Sequence, residues 1–285
     1  MKNQTINIKG ELIDLTTPLV MGIVNVTPDS FYKCSRTQSK KEIVERVHQI
    51  IDEGGTVIDM GGQSTRPTST LHTAEEELER IEPALALVQK EFPNAILSID
   101  TFYAEVAKTA VEKYGVAMIN DISGGQIDNE MFTTVAQLNV PYILMHMRGT
   151  PQTMQKLIDY DNLIGDIIYY FSEKIAHLNS LGVNDIIVDP GFGFSKTLEQ
   201  NYELMAHLKY FDILETPLLV GISRKSMAYK LLNTNSDGSL NGTTVLNTYA
   251  LQSGANILRV HDVKEAVDCV KLLSELNKYG TQQQI

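Results

Sequence analysis

Asp100, Asn120 and Asp189 each close a short apolar run, and all three are acceptor-rich. A carboxylate accepts two parallel hydrogen bonds, so such a set suits a flat heterocycle that offers adjacent N–H donors. Thr65, Arg66, Lys225, Arg259 and His261 form a second set of cations and donors, the chemistry that receives phosphate. They stand out because the chain is acidic, with 24 Lys and Arg against 35 Asp and Glu and a net charge of -11. One ligand with a heterocyclic end and a phosphate end satisfies both sets. Asn25, Asp59, Asp121, His146 and Arg224 occupy similar places at the ends of apolar runs. A single Asp in such a place reads as a helix cap or turn former; a ring that includes Lys, Arg and His does not.

Two stretches add to these sets. Gly61-Gly62-Gln63-Ser64-Thr65-Arg66-Pro67 has the glycines and donors to cradle an anion, although the stretch alone reads equally as a surface loop. Asp189-Pro190-Gly191-Phe192-Gly193-Phe194 is a tight turn after a strand, whose Phe192 or Phe194 either stacks on a ring or simply packs. Neither GxxxxGK[ST] nor GxGxxG occurs, so ATP and NAD are not indicated. The six histidines form no HxH or HExxH pattern, and Cys34 and Cys269 form no CxxC pair, which argues against a transition-metal site, including one at His146. Mg2+ needs only one or two protein oxygens beside phosphates and water, and Asn25 is an adequate lone ligand.

Positioning these residues requires a repeating scaffold. Short apolar runs at 20–25, 56–60, 96–100, 117–121, 142–145, 185–189, 218–221 and 257–260 alternate with amphipathic helical stretches, for example Ile43, Val44, Val47, Ile50 and Ile51. Eight such rounds in 285 residues predict an α/β fold, a (β/α)8 barrel of the TIM type, with a doubly wound sheet as the alternative for the same alternation. The long connections at 26–39, 61–73 and 146–159 follow strands, which places them and the chemistry on the C-terminal rim. Residues 1–15 read as a small hairpin covering the barrel floor, 16–277 as the barrel and 278–285 as a tail, all in one domain. The acidic balance argues against nucleic acid. No apolar run reaches membrane-spanning length and the N-terminus lacks a signal-like apolar stretch, so no membrane partner and a cytoplasmic location are expected.

Seven motifs in order carry a resemblance: Gly22-Ile23-Val24-Asn25-Val26-Thr27-Pro28-Asp29-Ser30-Phe31, Ser64-Thr65-Arg66-Pro67, Ser98-Ile99-Asp100-Thr101, Asn120-Asp121-Ile122-Ser123-Gly124, Asp189 to Phe194, Gly221-Ile222-Ser223-Arg224-Lys225-Ser226 and Arg259-Val260-His261-Asp262-Val263. Together, from about residue 5 to 277, they resemble the dihydropteroate synthase family. The resemblance implies a folate-pathway transferase, a sulfonamide target, that joins (7,8-dihydropterin-6-yl)methyl diphosphate to 4-aminobenzoate and releases diphosphate. It assigns the pterin to Asp100, Asn120, Met145, Asp189 and Lys225, and the diphosphate to Asn25, Thr65, Arg66, Arg259 and His261. It assigns the aminobenzoate to Phe31, Ser64, Thr65, Pro67, Phe194, Lys225 and Ser226, and catalysis to Lys225, Asp100, Arg259 and His261. It further implies Mg2+ on Asn25 and a homodimer. Two positions depart from the family pattern, Lys33 where an acidic residue is usual and Gln63 where Glu is usual. Related barrels that transfer methyl groups or only bind folates share the pterin contacts, and release of diphosphate separates them from this reading.

Overall fold

The computed structural model describes residues 5–26, 36–63 and 71–280. Two short strands, β1 (Thr5–Ile8) and β2 (Glu11–Asp14), pair antiparallel around Lys9 and Gly10, as the hairpin expectation requires. Strands and helices then alternate: β3 (Leu19–Asn25), α1 (Arg36–Asp52), β4 (Val57–Gly61), α2 (Ala74–Glu91), β5 (Ile96–Asp100), α3 (Ala104–Tyr114), β6 (Met118–Asp121), α4 (Met131–Leu138) and β7 (Tyr142–Met145). They continue with α5 (Leu163–Ser180), β8 (Ile186–Asp189), α6 (Leu198–Ala206), β9 (Leu219–Val220), α7 (Ser226–Tyr229), α8 (Leu240–Gln252), β10 (Ile257–Val260) and α9 (Val263–Gly280).

All eight strands from β3 onward are parallel, in the order β8-β7-β6-β5-β4-β3-β10-β9. A bridge between Val188 and Leu218 joins the two edges, so the sheet closes into a barrel and the doubly wound alternative is set aside. The strand runs expected from sequence are present, with β9 shorter than the 218–221 run and β4 extended to Gly61. The last helix continues through Gly280, into the stretch assigned to a tail.

The side-chain period of two explains why this barrel carries a polar upper layer. Val57, Met118, Ile143, Ile187, Leu219 and Ile257 meet inside the lower barrel. Two residues further along the same strands stand Asp59, Asn120, Met145, Asp189, Gly221 and Arg259. The residues between them, Ile58, Ile119, Leu144, Val188, Val220 and Leu258, join the large core under the helices. Each of these six strands therefore supplies one apolar inner position, one outer anchor and one inner position at the rim. Ile6, Ile8 and Leu15 pack on the lower inner layer, so the hairpin seals the floor.

Candidate active site

The barrel mouth is organised around Arg259. Its Nε donates to Asp59 Oδ2 at 2.6 Å and its Nη2 to Asp100 Oδ2 at 2.6 Å, and Asn120 Nδ2 donates to the same Asp59 oxygen at 3.0 Å. Asp59 is fully buried, whereas the Asp100 side chain keeps 13% of its surface open at the mouth. Burial pushes the Asp100 carboxyl up to about 7; Arg259 opposes this, and the neighbouring Asp59 and Asp121 reinforce it. The guanidinium itself stays charged, held by the Asp59 and Asp100 carboxylates against its burial.

Asp189 sits at the end of β8, where its Oδ1 accepts from Gly191 N at 2.8 Å. Burial raises its carboxyl while Lys225 pulls it back. The following turn needs glycine at two places. Gly191 has φ +72° and a side chain there would meet the His146 carbonyl oxygen at 2.1 Å; Gly193 has φ +83° and lies against the Lys225 stem. This close approach lets Lys225 Nζ donate to Phe192 O at 2.7 Å while standing 4.7 Å from the centre of the Phe194 ring. Phe192 itself packs in the core, so of the two aromatics it is Phe194 that borders the site.

Lys225 is delivered by a backbone reversal. Arg224 takes a left-handed φ of 58°, with its N–H on Thr243 Oγ1, and sends its guanidinium outward to both oxygens of Asp262. The next residue therefore turns back into the mouth, where burial lowers its ammonium to about 8, with Asp189 acting to keep the charge. Met145 packs above the lower layer with Phe102, Ile122, Met147, Met154 and Phe194, an apolar wall beside the carboxylates.

The profile of the family described as "Pterin binding enzyme" matches residues 21–261. Dihydropteroate synthase of Escherichia coli (strain K12) is 40% identical over 267 residues, covering 93% of this chain and 94% of the relative. The chain belongs to the dihydropteroate synthase family. Among solved structures, the Yersinia pestis dihydropteroate synthase with a sulfonamide drug complex superposes with a TM-score of 0.87 at 38% identity, covering 96% of this chain and 99% of that one. The Xanthomonas albilineans dihydropteroate synthase in complex with 7,8-dihydropteroate has a TM-score of 0.83 at 30% identity, covering 96% and 99%.

Of the residues that the family resemblance singles out, Asp100, Asn120, Met145, Asp189, Phe194, Lys225 and Arg259 gather at this mouth. Asn25 lies exposed at the end of β3, and Ser226 begins α7, half-buried beside Lys225. Arg259 is less available to a phosphate than its charge suggests, because Nε and Nη2 are committed to carboxylates. His261 enters as a neutral donor: burial, Arg224 and Arg259 push its imidazole down to about 4. Ser223 Oγ accepts from His261 N and lies 3.1 Å from Nδ1, an arrangement that lets the hydroxyl donate to Nδ1 and leaves Nε2–H to donate. Phe31, Lys33, Ser64, Thr65, Arg66 and Pro67 lie outside the described residues.

Asp121, grouped with Asn120 in sequence, serves its own turn instead. It accepts from Ser123 N, Gly125 N and the Tyr142 hydroxyl, all at 2.7 Å. Gln63 acquires a reason to be an amide, since it donates to His72 O at 2.8 Å and accepts from His72 N at 3.2 Å; a carboxylate could not do both. Three residues that sequence reasoning left without a role also shape the site. Asp59 anchors Arg259. Glu77 is fully buried against Gly62, with its carboxyl raised to about 8 by burial. Its spacing to Ile81, Ala84, Leu85 and Val88 places it on the buried stripe of α2, a signal available in the sequence. Lys196 is buried between the Gly191–Phe194 turn and His146.

Proposed function

We propose that this chain joins (7,8-dihydropterin-6-yl)methyl diphosphate to 4-aminobenzoate, forming 7,8-dihydropteroate and diphosphate. The convergence of Asp100, Asn120, Asp189 and Lys225 on one barrel mouth supports the reading, because acceptors and a cation gathered there suit one flat ring. Asp189 and Asn120 hold the pterin edge, Met145 packs on its face, and Asp100 favours the positive charge that the ring takes up as the methylene C–O bond breaks. Lys225 spans the pterin and the aminobenzoate, whose ring lies beside Phe194 and Ser226; the family pattern assigns Phe31, Ser64, Thr65 and Pro67 to the same ligand. The arylamine nitrogen attacks the methylene carbon as the neutral free base, diphosphate departs with the bonding electron pair, and the amine proton passes to diphosphate or water. His261 and Arg259 face the leaving group, to which the family pattern also assigns Thr65 and Arg66.

The donor set suits Mg2+ that arrives with the diphosphate. Asn25 presents a carboxamide at the exposed end of β3, and among the described residues no cluster of three His, Cys, Asp or Glu forms a cage for a tighter ion. When bound there, the ion offsets charge on the departing diphosphate. Asn25→Leu should therefore weaken pterin diphosphate binding in Mg2+ by about tenfold while leaving a diphosphate-free pterin within about twofold, as read by calorimetry. Equal losses for both ligands would mean that the site had collapsed.

The compartment proposed is the cytoplasm; no helix among the described residues is long and apolar enough to cross a membrane. A homodimer through the outer helices accords with the apolar surface there, where Val245 and Tyr249 of α8 and Leu272, Leu276 and Tyr279 of α9 are exposed. The reaction is tested by incubating the protein with the pterin diphosphate, 4-aminobenzoate and Mg2+. Dihydropteroate and diphosphate should form in equal amounts, and the absence of dihydropteroate would overturn the reading.

A further inference from the structure

Lys196 is 4% exposed, and its ammonium makes three contacts: His146 Nδ1 at 3.1 Å, Gly191 O at 3.1 Å and Phe194 O at 3.0 Å. A lysine ammonium has three donors and no acceptor, so this pocket matches it bond for bond. The two carbonyls bracket the turn that carries Phe192 O, on which Lys225 rests, and the Phe194 ring beneath the Lys225 ammonium. Asn201 braces the same turn from α6, accepting from Gly193 N at 2.6 Å and donating to Thr197 O at 2.6 Å. His146 is itself buried, with its ring edge-to-face on Tyr170 at 4.8 Å.

We propose that Lys196 is a positioning residue for the transfer reaction, and that His146 keeps it paired in both of its protonation states by changing tautomer. With the ammonium present, all three N–H groups donate and His146 Nδ1 accepts, which puts the imidazole proton on Nε2. When Lys196 releases one proton to water, the amine keeps two N–H donors for the carbonyls of Gly191 and Phe194 and gains a lone pair. The single imidazole proton then resides on Nδ1 and donates to that lone pair. Every hydrogen-bonding position around Lys196 Nζ is filled in both states, so the turn is held throughout, more weakly once its hydrogen bonds lose their charge.

The surroundings place this change near neutrality. Burial lowers the ammonium to about 7; Asp189 supports the charge, and Lys225 and Arg148 oppose it. The imidazole does not take the proton, because burial, Lys196, Arg148 and Lys174 hold its protonated form well below the ordinary range. The rings of Tyr160, Tyr170 and Phe171 complete its surroundings.

The effect on turnover rests on the proposed role of Lys225, whereas the tautomer change does not, so the two are tested separately. Nitrogen NMR of substrate-free, histidine-labelled protein, assigned with His146→Gln, should show Nδ1 of His146 unprotonated at about pH 6 and protonated at about pH 8.5. Lys196→Met should abolish that transition. A His146 signal that stays constant with pH, or that passes through the imidazolium, would overturn the pairing whether or not the variant folds. In folded Lys196→Met, kcat/KM should fall by about tenfold or more relative to wild type, and an unchanged value would overturn the positioning role. Wild-type protein without turnover would overturn the reaction reading and leave the NMR result to stand by itself.

Discussion

Lys225→Ala should lower kcat/KM by roughly 30- to 1000-fold in a correctly folded protein, equivalent to about 2–4 kcal/mol of lost transition-state stabilisation. The size follows from the position of the ammonium beside Asp189, the Phe192 carbonyl and the Phe194 ring, where partial burial strengthens its electrostatic interactions. The fold should survive, because the side chain is only partly buried and its backbone is set by the Arg224 reversal. Burial holds the ammonium at about 8, so its charge is present below that pH and disappears as pH rises through it. Wild-type kcat/KM should accordingly fall on the alkaline side, and that component should be missing from the variant. Steady-state kinetics beside a thermal melt checks both statements, and near-wild-type kcat/KM in the variant would remove Lys225 from the mechanism.

Asp59→Ala should be as damaging, for a different reason. The Asp59 carboxylate holds Arg259 Nε and Asn120 Nδ2 through one oxygen while fully buried. Removing one partner of a buried ion pair costs about 3–5 kcal/mol, because the remaining charge has lost its compensation. Asp100 still pairs with Nη2, which puts the expected loss near the lower end, about 3 kcal/mol in urea unfolding. The double variant Asp59→Leu/Arg259→Met separates the two roles of this pair. It should regain part of the stability, since the Asp59–Arg259 pair is gone while Asp100 has also lost its cation, yet stay inactive. A loss below about 1 kcal/mol for Asp59→Ala would show that the barrel mouth relaxes around the missing carboxylate.

These two residues differ in how far the sequence announces them. Lys225 sits in a segment dense in polar chemistry, and its charge and its place after an apolar run put it among the phosphate-receiving cations; its assignment to the pterin came from the family resemblance. Asp59 was visible as a polar residue near a strand end, but its partnership with Arg259 spans 200 positions and no local pattern encodes it. The strands themselves were legible because each is a short apolar run. Which of their residues face inward was not, since Ile58 and Val57 are equally apolar and both are buried. Only the closed barrel separates them into an outer anchor and a floor residue. Lys196 was hidden for a related reason: followed by a threonine cap, a lysine in a turn reads as solvated, and nothing nearby in sequence indicates three buried acceptors. Glu77 was legible in phase with the apolar stripe of α2, but the run Glu75-Glu76-Glu77 masks it as an ordinary acidic first turn.

The hairpin under the barrel has a consequence for traffic. With Ile6, Ile8 and Leu15 packed across the lower layer, the floor of the barrel is closed among the described residues, which leaves the rim as the way in. Whatever lies deepest must enter first and leave last. Asn120 and Asp189 end barrel strands, whereas Lys225 and Ser226 follow a strand end and a reversal. In the proposed reaction the pterin would therefore seat before the aminobenzoate, and the joined product would leave by the rim that admits the next diphosphate.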